Sequence, residues 1–379
     1  MAFKTAIIKS NYGNCKNDFM RALEFIGGME SFVKPDEKIL IKPNFLRAGK
    51  IGDAITTHPE IIKAVCLAVK NAGGIPIIGD SPGKGTVEKL IAASGLSEFI
   101  KQYNFKIADC NTPVVKKKII GNREIKFTVF KGFDECDKIF SLAKLKTHGQ
   151  MFYTGAVKNL FGLIPGALKP ELHFKFSDPY KFAEMIVDLY EFAEPSLSII
   201  DGITAMEGNG PGAGVPKNLN CLIVSENAAA ADICALRIIN ETPQYSPIID
   251  VCVKRKIAPK NIKDIELFGD NIEDFVDKKF KKISNPMKMT AFLPVNFFDG
   301  LLKFAVLSRP VVNQKICVKC KACVDICHSK AVSLENNRIL FDYKKCIRCY
   351  CCQEICPVGA ITVFKPILLR NLDFIIKHL

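Results

Sequence analysis

Tryptophan is absent from this 379-residue chain, and histidine occurs only five times. Apolar runs are short as well, since no window holds the roughly 18 consecutive apolar residues of a membrane-spanning helix. The N-terminus lacks the long apolar run and the small-residue cleavage site of a secretory signal. We therefore expect a cytoplasmic protein that does not associate with a membrane.

Composition is that of an ordinary globular protein, with 48% hydrophobic and 24% charged residues. The length fits two or three domains of about 100 to 200 residues each. The formal charge of +14 suggests nucleic acid, a membrane surface or anionic substrates as partners. Because the lysines fall in short runs typical of solvated faces, and no helix-turn-helix, zinc-finger or RNP pattern accompanies them, we expect no nucleic-acid partner.

Cysteine is abundant and unevenly spread, with seven of sixteen residues within 1–252 and nine within 317–356. A reducing compartment disfavours disulfides, so metal binding is the better explanation. The first run is C-x2-C-x2-C-x3-C, and the second has the same spacing followed by proline, which is a spacing of bacterial ferredoxin cluster motifs. Zinc sites use paired C-x2-C with four ligands in all, which eight cysteines in two such runs do not match. The two runs comprise Cys317, Cys320, Cys323 and Cys327, and Cys346, Cys349, Cys352 and Cys356.

Residues 311–364 resemble bacterial two-cluster ferredoxins. In that family the fourth cysteine of each motif ligates the other cluster. The resemblance therefore implies two [4Fe-4S] clusters as cofactors. His328 stands where the first motif would have proline, and Cys351 is an additional cysteine without an assigned role. By motif position, cluster one takes Cys317, Cys320, Cys323 and Cys356, and cluster two takes Cys346, Cys349, Cys352 and Cys327.

Strands and helices alternate through the N-terminal region. A buried-type strand at 39–41 precedes a helix for which Thr57 and Glu60 predict a capping box, and 75–78 is the next strand. Further strands are predicted at 137–145, 197–200 and 219–224, with helices at 179–193 and 228–239. This alternation predicts an α/β fold with a mostly parallel sheet, followed by a small α+β two-cluster ferredoxin domain.

Ligands of such sheets bind beyond the carboxyl ends of the strands. On one strand, Lys144, Lys146 and His148 would share a face, which predicts either a cationic pocket or an edge strand with solvated lysines. His148 and His173 are candidates for proton transfer, together with Lys146, because they lie near lysines and glycine-rich turns. The remaining candidates, expected to bind a substrate, are Lys42, Asn44, Asp80, Lys144, Lys158, Asn159 and Asp201.

Two glycine-rich segments match no nucleotide-binding motif. Residues 79–85 predict a plain turn or a phosphate cradle, and residues 208–214 predict a tightly turned or mobile loop, or a lid over a site.

Seven segments of the N-terminal region form a distinctive set: Lys42-Pro43-Asn44, Thr56-Thr57-His58-Pro59, Gly79-Asp80-Ser81-Pro82, residues 144–149, residues 158–166, Asp201-Gly202 and residues 206–211. Together they resemble a prokaryotic family catalogued as domain of unknown function 362, over about residues 1–270. The resemblance implies a fold and the frequent fusion to a two-cluster ferredoxin module, but no reaction. We accordingly expect an α/β domain at 1–270, a linker or interdomain segment at 271–310, the ferredoxin domain at 311–364 and a tail at 365–379.

Three functions remain open from the sequence. The first is an oxidoreductase in which two clusters relay electrons to a small, anionic organic substrate on the α/β domain. The second is a non-enzymatic electron carrier, or a subunit of a larger redox complex, whose large domain docks a partner protein. The third is an iron–sulfur-dependent assembly or regulatory protein.

Overall fold

The computed structural model describes residues 3–83, 85–283 and 308–364. The predicted tail at 365–379 and most of the predicted linker at 271–310 lie outside the described residues. The described chain forms a large α/β domain, followed by a small module of short antiparallel strands and helices. This architecture confirms the predicted fold class.

The large domain contains a mixed sheet of nine strands. Its strands, with the separate hairpin β5–β6, are β1 (Phe3–Lys9), β2 (Lys38–Pro43), β3 (Ile75–Ile78), β4 (Lys106–Ile107), β5 (Pro113–Ile120), β6 (Arg123–Phe130), β7 (Lys138–His148), β8 (Phe152–Thr154), β9 (Leu197–Glu207), β10 (Val215–Ser225) and β11 (Ile265–Gly269). The order is β11-β1-β10-β9-β7-β2-β3-β4, with β8 beside β7. Strands β9, β7, β2, β3 and β4 are parallel neighbours, so their carboxyl ends meet at one edge.

Helices cover the sheet and bury their apolar faces against it. They are α1 (Cys15–Phe25), α2 (Pro59–Asn71), α3 (Val87–Ala93), α4 (Ser97–Tyr103), α5 (Lys131–Asp134), α6 (Ala156–Asn159), α7 (Lys169–Lys175), α8 (Pro179–Ala193), α9 (Ala228–Ile238) and α10 (Pro247–Lys254). The predicted capping box of α2 is wrong. His58 is the N-cap, because its Nδ1 atom accepts from the Glu60 amide, whereas the Thr57 hydroxyl donates to the Leu142 carbonyl.

The C-terminal module is built from two antiparallel strand pairs and two one-turn helices. These are β12 (Arg309–Val312) with β15 (Ile361–Phe364), β13 (Val332–Glu335) with β14 (Arg338–Phe341), α11 (Ala322–Asp325) and α12 (Cys351–Glu354). Its small core combines cysteines with aliphatic side chains such as Ile339 and Ile361. So few buried aliphatic residues leave the module dependent on whatever its cysteines bind.

Candidate functional site at the domain interface

A cavity of about 100 Å³ lies between the α/β domain and the C-terminal module. We call it the interdomain cavity. Its volume is several times what one buried water needs. The module contributes Ile326, Cys351, Glu354 and Ile355 to the wall. Eight side chains predicted from sequence line it, namely Lys42, Asn44, Asp80, Lys146, His148, Lys158, Asn159 and His173.

Lys42 and Asp80 form a buried ion pair at the carboxyl ends of β2 and β3. The Lys42 Nζ atom lies 2.7 Å from Asp80 Oδ1 and 3.3 Å from Asn159 Oδ1. The second oxygen of Asp80 accepts from the Phe45 amide at 2.7 Å. Burial lowers the pKa of Lys42, and the Asp80 charge acts against that shift. The pair is therefore neutral overall and fixes one wall of the cavity.

Lys146 lies on β7 and lines the cavity. Its ammonium group forms no ion pair with any described residue. Its Nζ atom donates to Asn44 Oδ1 at 2.5 Å and to the Ile55 carbonyl at 2.8 Å. Burial, with the charges of Lys144 and Lys158, lowers the pKa of Lys146 to about 7. An ammonium group with that pKa exchanges its proton near neutral pH, as a general acid requires.

Lys158 lies on α6 and is buried without an acceptor among the described residues. Its ammonium group sits 4.6 Å from the centroid of the Phe161 ring and 5.5 Å from that of Phe182. Burial lowers the pKa of Lys158, and the charge of Glu354 acts in the opposite direction. A buried ammonium group whose neighbours are mainly aromatic rings is a favourable place for an anion.

Helix α7 lies against the cavity and supplies Lys169 and His173. The Lys169 ammonium donates to the Ser81 carbonyl, and burial lowers its pKa to about 8. The His173 ring stacks on Phe182 with centroids 4.3 Å apart, and its Nδ1 atom has no hydrogen-bond partner among the described residues. Burial lowers the pKa of His173 to about 3, so the imidazole is neutral at physiological pH.

His148 has a defined tautomer. Its Nδ1 atom accepts from the amides of Gln150 at 3.1 Å and Met151 at 3.2 Å, which leaves the ring proton on Nε2. That Nε2 atom lies 3.0 Å from Oε1 of Glu354 in the C-terminal module. Burial lowers the pKa of His148, so the imidazole is neutral, and its Nε2 atom lies close to the Glu354 carboxylate without the geometry of a hydrogen bond.

Two hollows in the C-terminal module are lined by the predicted ligand sets. Cys317, Cys320, Cys323 and Cys356, the outer cysteine group, line one of them. Cys327, Cys346, Cys349 and Cys352, the inner cysteine group, line the other. Among the described residues, no group of three or more His, Cys, Asp or Glu side chains could hold a metal ion. A cubane is larger than one ion, so its thiolates are spaced more widely.

The two cysteine loops have the same backbone shape, which fits cluster binding. Lys319 and Lys321 have φ values of 56° and 61°, and Arg348 and Tyr350, at the equivalent positions, have 57° and 61°. Non-glycine residues adopt this left-handed region at a cost, so its repetition indicates a constrained loop that turns the thiols inward. The last cysteine of each motif also accepts a backbone N–H at 3.2 Å, from Ala331 and Ala360. Such N–H donors are among the groups that tune a cluster.

The 208–214 loop of the α/β domain contacts the C-terminal module through several hydrogen bonds. Gln353 Nε2 donates to the Gly210 carbonyl at 3.0 Å and to both oxygens of Asn209, and Asn209 Nδ2 donates to the Ile361 carbonyl. A Cβ on Gly212 would lie 2.9 Å from the Glu354 carbonyl, so the loop needs glycine for close approach. Pro211 of the same loop lines the interdomain cavity.

His328 takes part in the same interface. Its ring packs against Phe174 of α7, with centroids 4.8 Å apart. The residue that replaces the expected proline therefore contacts the helix that supplies Lys169 and His173 to the cavity.

Lys144 and Asp201 lie outside the interdomain cavity, contrary to the expectation of one cationic face. The pairing of β7 with β9 shifts register between Lys144 and Lys146, and Asp201 stands directly opposite Lys144. Lys144 Nζ lies 2.8 Å from Asp201 Oδ2 and donates to the Tyr12 hydroxyl, whose ring stacks on His58 at 3.5 Å. Lys144 and Asp201 are therefore buried, and their charged groups are hydrogen-bonded to each other and to Tyr12. The solvated edge strand is also wrong, because Lys144 and Lys146 are only 2% and 1% exposed.

Sequence reasoning missed Glu354, Lys169 and Cys351 as cavity residues. Glu354 and Cys351 are hidden within the second cysteine motif, where spacing draws attention to the ligands alone. Lys169 follows the conspicuous glycine-rich stretch at 158–166, and that proximity is the one signal that would have indicated it.

A family model described as domain of unknown function (DUF362) matches residues 39–237, more than half of the chain. The chain belongs to the DUF362 family. Ten side chains that we predicted as site residues fall within that match. A 4Fe-4S dicluster domain matches residues 316–360 of this DUF362 protein. The C-terminal module is therefore an iron–sulfur-binding domain with a role in electron transfer, as its cysteine spacing predicts.

One curated relative is the thylakoid-associated protein sll1697 of Synechocystis sp. (strain ATCC 27184 / PCC 6803 / Kazusa). It is 34% identical over 226 residues, which cover 59% of this DUF362 chain and 70% of the relative. Within residues 3–83, 85–283 and 308–364, every helix falls short of the length and apolar character that a membrane span requires. The cytoplasmic location stays a prediction.

Two solved structures are similar at 13% identity. One is the lactate racemase apoprotein from Thermoanaerobacterium thermosaccharolyticum, with a TM-score of 0.43 over 63% of this chain and 57% of that one. The other is a structural-genomics protein from Thermotoga maritima, with a TM-score of 0.37 over 64% and 59%. The DUF362 chain thus spans less than two thirds of each.

Proposed function

We propose that this protein is an oxidoreductase that holds two [4Fe-4S] clusters and reduces a small anionic organic compound in the interdomain cavity. The observation that carries the proposal is the position of Cys351. Its side chain lines both the cavity and the hollow of the inner cysteine group. A bound compound would therefore lie one side chain away from a redox centre. Loaded clusters would supply single electrons.

The two cysteine groups differ in exposure, which supports a direction for the electrons. In the outer group Cys320 is exposed, and Val318 beside it is 60% exposed. The inner group adjoins Cys351 and Tyr350, which are both buried. We assign electron entry to the outer group, which a partner protein can approach, and delivery to the inner group.

The donor that fits the outer group is an acidic one-electron carrier protein. Lys315, Lys319 and Lys321 flank Val318 and Cys320 in the sequence, and none of the three forms an ion pair with a described residue. An exposed apolar centre with a basic rim complements an acidic surface.

Within the cavity, the residues divide between binding and proton supply. Lys158, which has no protein acceptor in the described part of the chain, would hold an anionic group of the substrate. Lys146, with a pKa of about 7, is the better proton donor at neutral pH. His148 and His173 are neutral, so we assign them to orienting the substrate and relaying protons. Reduction of one double bond takes up two electrons, which the two clusters would supply one each, and two protons, of which Lys146 would donate one and solvent the other through the histidines.

The test uses anaerobic protein with both clusters reduced, mixed separately with the small-molecule and the protein fractions of a cell extract. Reoxidation by small molecules supports an oxidoreductase, and Lys146→Ala should abolish it while iron content stays unchanged. Lys175→Ala is the matched control, since Lys175 is exposed and lies outside the cavity. Reoxidation by the protein fraction alone would replace the proposal with a carrier protein.

A further inference from the structure

The cationic groups of the cavity are arranged in a way that restricts the ligand. Lys158 and Lys169 both lie over the Phe161 ring, with their Nζ atoms 4.6 Å and 5.6 Å from its centroid. They come from different elements, α6 and α7. Two ammonium groups therefore lie against a single aromatic ring in the wall of the cavity.

The hydrogen-bonding capacity of these two groups is largely unused. An ammonium group has three N–H donors. Lys158 donates to no described residue, and Lys169 donates to the Ser81 carbonyl alone. About five donors thus lack an acceptor, whereas one carboxylate offers about four lone-pair sites. A single carboxylate would therefore leave at least one of these donors without an acceptor on the ligand.

The balance of charges within the cavity also favours a ligand with more than one anionic group. Lys42 is neutralised by Asp80, so Lys146, Lys158 and Lys169 face Glu354 as the one remaining carboxylate among the described lining residues. A cluster behind Cys351 would add negative charge, but it would not accept the free N–H groups, because Ile326, Cys351 and Ile355 form that wall. The lining of the cavity also includes the apolar residues Phe45, Phe161 and Pro170, which suit a short apolar segment.

We infer that the ligand of the interdomain cavity is a small aliphatic dicarboxylate, bound at one end by Lys158 and at the other by Lys169, with its carbon chain over Phe161. The inference rests on the proposed function for the location of the site alone. It specifies the substrate class through binding, which requires no electron transfer.

Calorimetry on the oxidised, cluster-loaded protein tests this with malonate, succinate and glutarate against butyrate and inorganic phosphate. At least one dicarboxylate should bind about ten-fold or more tightly than butyrate, a difference of about 1.4 kcal/mol. Equal affinity for butyrate would contradict the role of the second carboxylate. Tighter binding of phosphate would contradict a ligand that extends from Lys158 to Lys169. No binding of any dicarboxylate would overturn the inference while leaving the reoxidation assay to judge the proposed function separately.

Variants on one helix provide the matched comparison. Lys169→Gln should lose the preference for dicarboxylates over butyrate, whereas Lys175→Gln, also on α7 but exposed, should keep it. Lys158→Gln should weaken both classes of ligand. Iron content and circular dichroism identify any variant that fails to fold, and Lys169→Gln, being only partly buried, keeps the comparison interpretable. A preference unchanged in Lys169→Gln would contradict the assignment of its end of the ligand.

Discussion

The Nε2 atom of His148 lies 3.0 Å from the Oε1 atom of Glu354, across the boundary between the α/β domain and the iron–sulfur module. His148 ends β7, and Glu354 ends α12 within the second cysteine motif. Because each domain supplies one of these two residues, the cavity is complete only when the module packs against the α/β domain.

Removing the side chain of Gln353 should loosen that docking. Gln353→Ala deletes donors to Gly210 and Asn209 and should lower the free energy of unfolding by about 1 to 3 kcal/mol. Limited proteolysis should release the module faster, whereas the exposed Gln102→Ala control should behave as the wild type. Equal cleavage rates in both variants would show that the loop at 208–214 does not hold the module.

The additional cysteine should be dispensable for iron. Cys351→Ala should retain the full iron content, because Cys351 lies outside both predicted ligand sets although it lines the inner hollow. Cys349→Ala, two residues away, should lose about half of the iron and the electron paramagnetic resonance signal of one reduced cluster. Iron analysis and electron paramagnetic resonance on both variants measure this difference. Loss of iron in Cys351→Ala would show that Cys351 is a cluster ligand.

Surface charge at the outer cysteine group should control the rate of reduction. Lys321→Glu should slow reduction by an acidic carrier protein about ten-fold at low salt, because it removes electrostatic attraction at the entry point. Reduction by dithionite should be unaffected. Lys344→Glu makes the same charge change beside the inner group and should leave the rate near wild type. Stopped-flow measurements over a salt series would refute the assignment if both variants slowed equally.

Anion binding in the cavity should weaken as pH rises above neutrality. Lys146 has a pKa of about 7, and it is faced by Lys144, Lys158, Glu354 and Asp80. Above that pH the Lys146 ammonium loses its proton, and Lys169, with a pKa of about 8, loses its own in the same range, so dicarboxylate affinity should fall between about pH 6 and about pH 9. Calorimetry should show this slope reduced in Lys146→Met, and an identical slope in the variant would assign the effect elsewhere.

The stability of the unliganded protein should follow pH in the opposite direction. The pKa of Lys146 lies below its ordinary value of 10.5, so between about 7 and 10.5 the unfolded chain binds more protons than the folded one. Unfolding free energy should therefore rise with pH across that window, relative to Lys146→Met. Denaturant titrations at two pH values measure the difference, and a fall in the wild type alone would contradict the shifted pKa.

Much of the candidate site was visible in the sequence, because parallel strands bring their carboxyl ends to one edge. Lys42, Asp80 and Lys146 follow this rule and meet in the cavity. Lys144 does not, since a register shift in β7 and an aspartate opposite it redirect its side chain to Asp201. Neither the shift nor the partner strand can be derived from the local sequence of β7.

What the sequence alone determined was local: the spacing of eight cysteines, the alternation of strands with helices, and the polar residues that end those strands. These features depend on backbone geometry over a few residues, so they can be inferred from the order of the chain. The tertiary structure alone decided that Glu354 faces His148, that Lys169 shares the Phe161 ring with Lys158, and that the 208–214 loop seats the module. Such contacts join residues far apart in the chain or on separate elements, and they arise from how whole surfaces pack together.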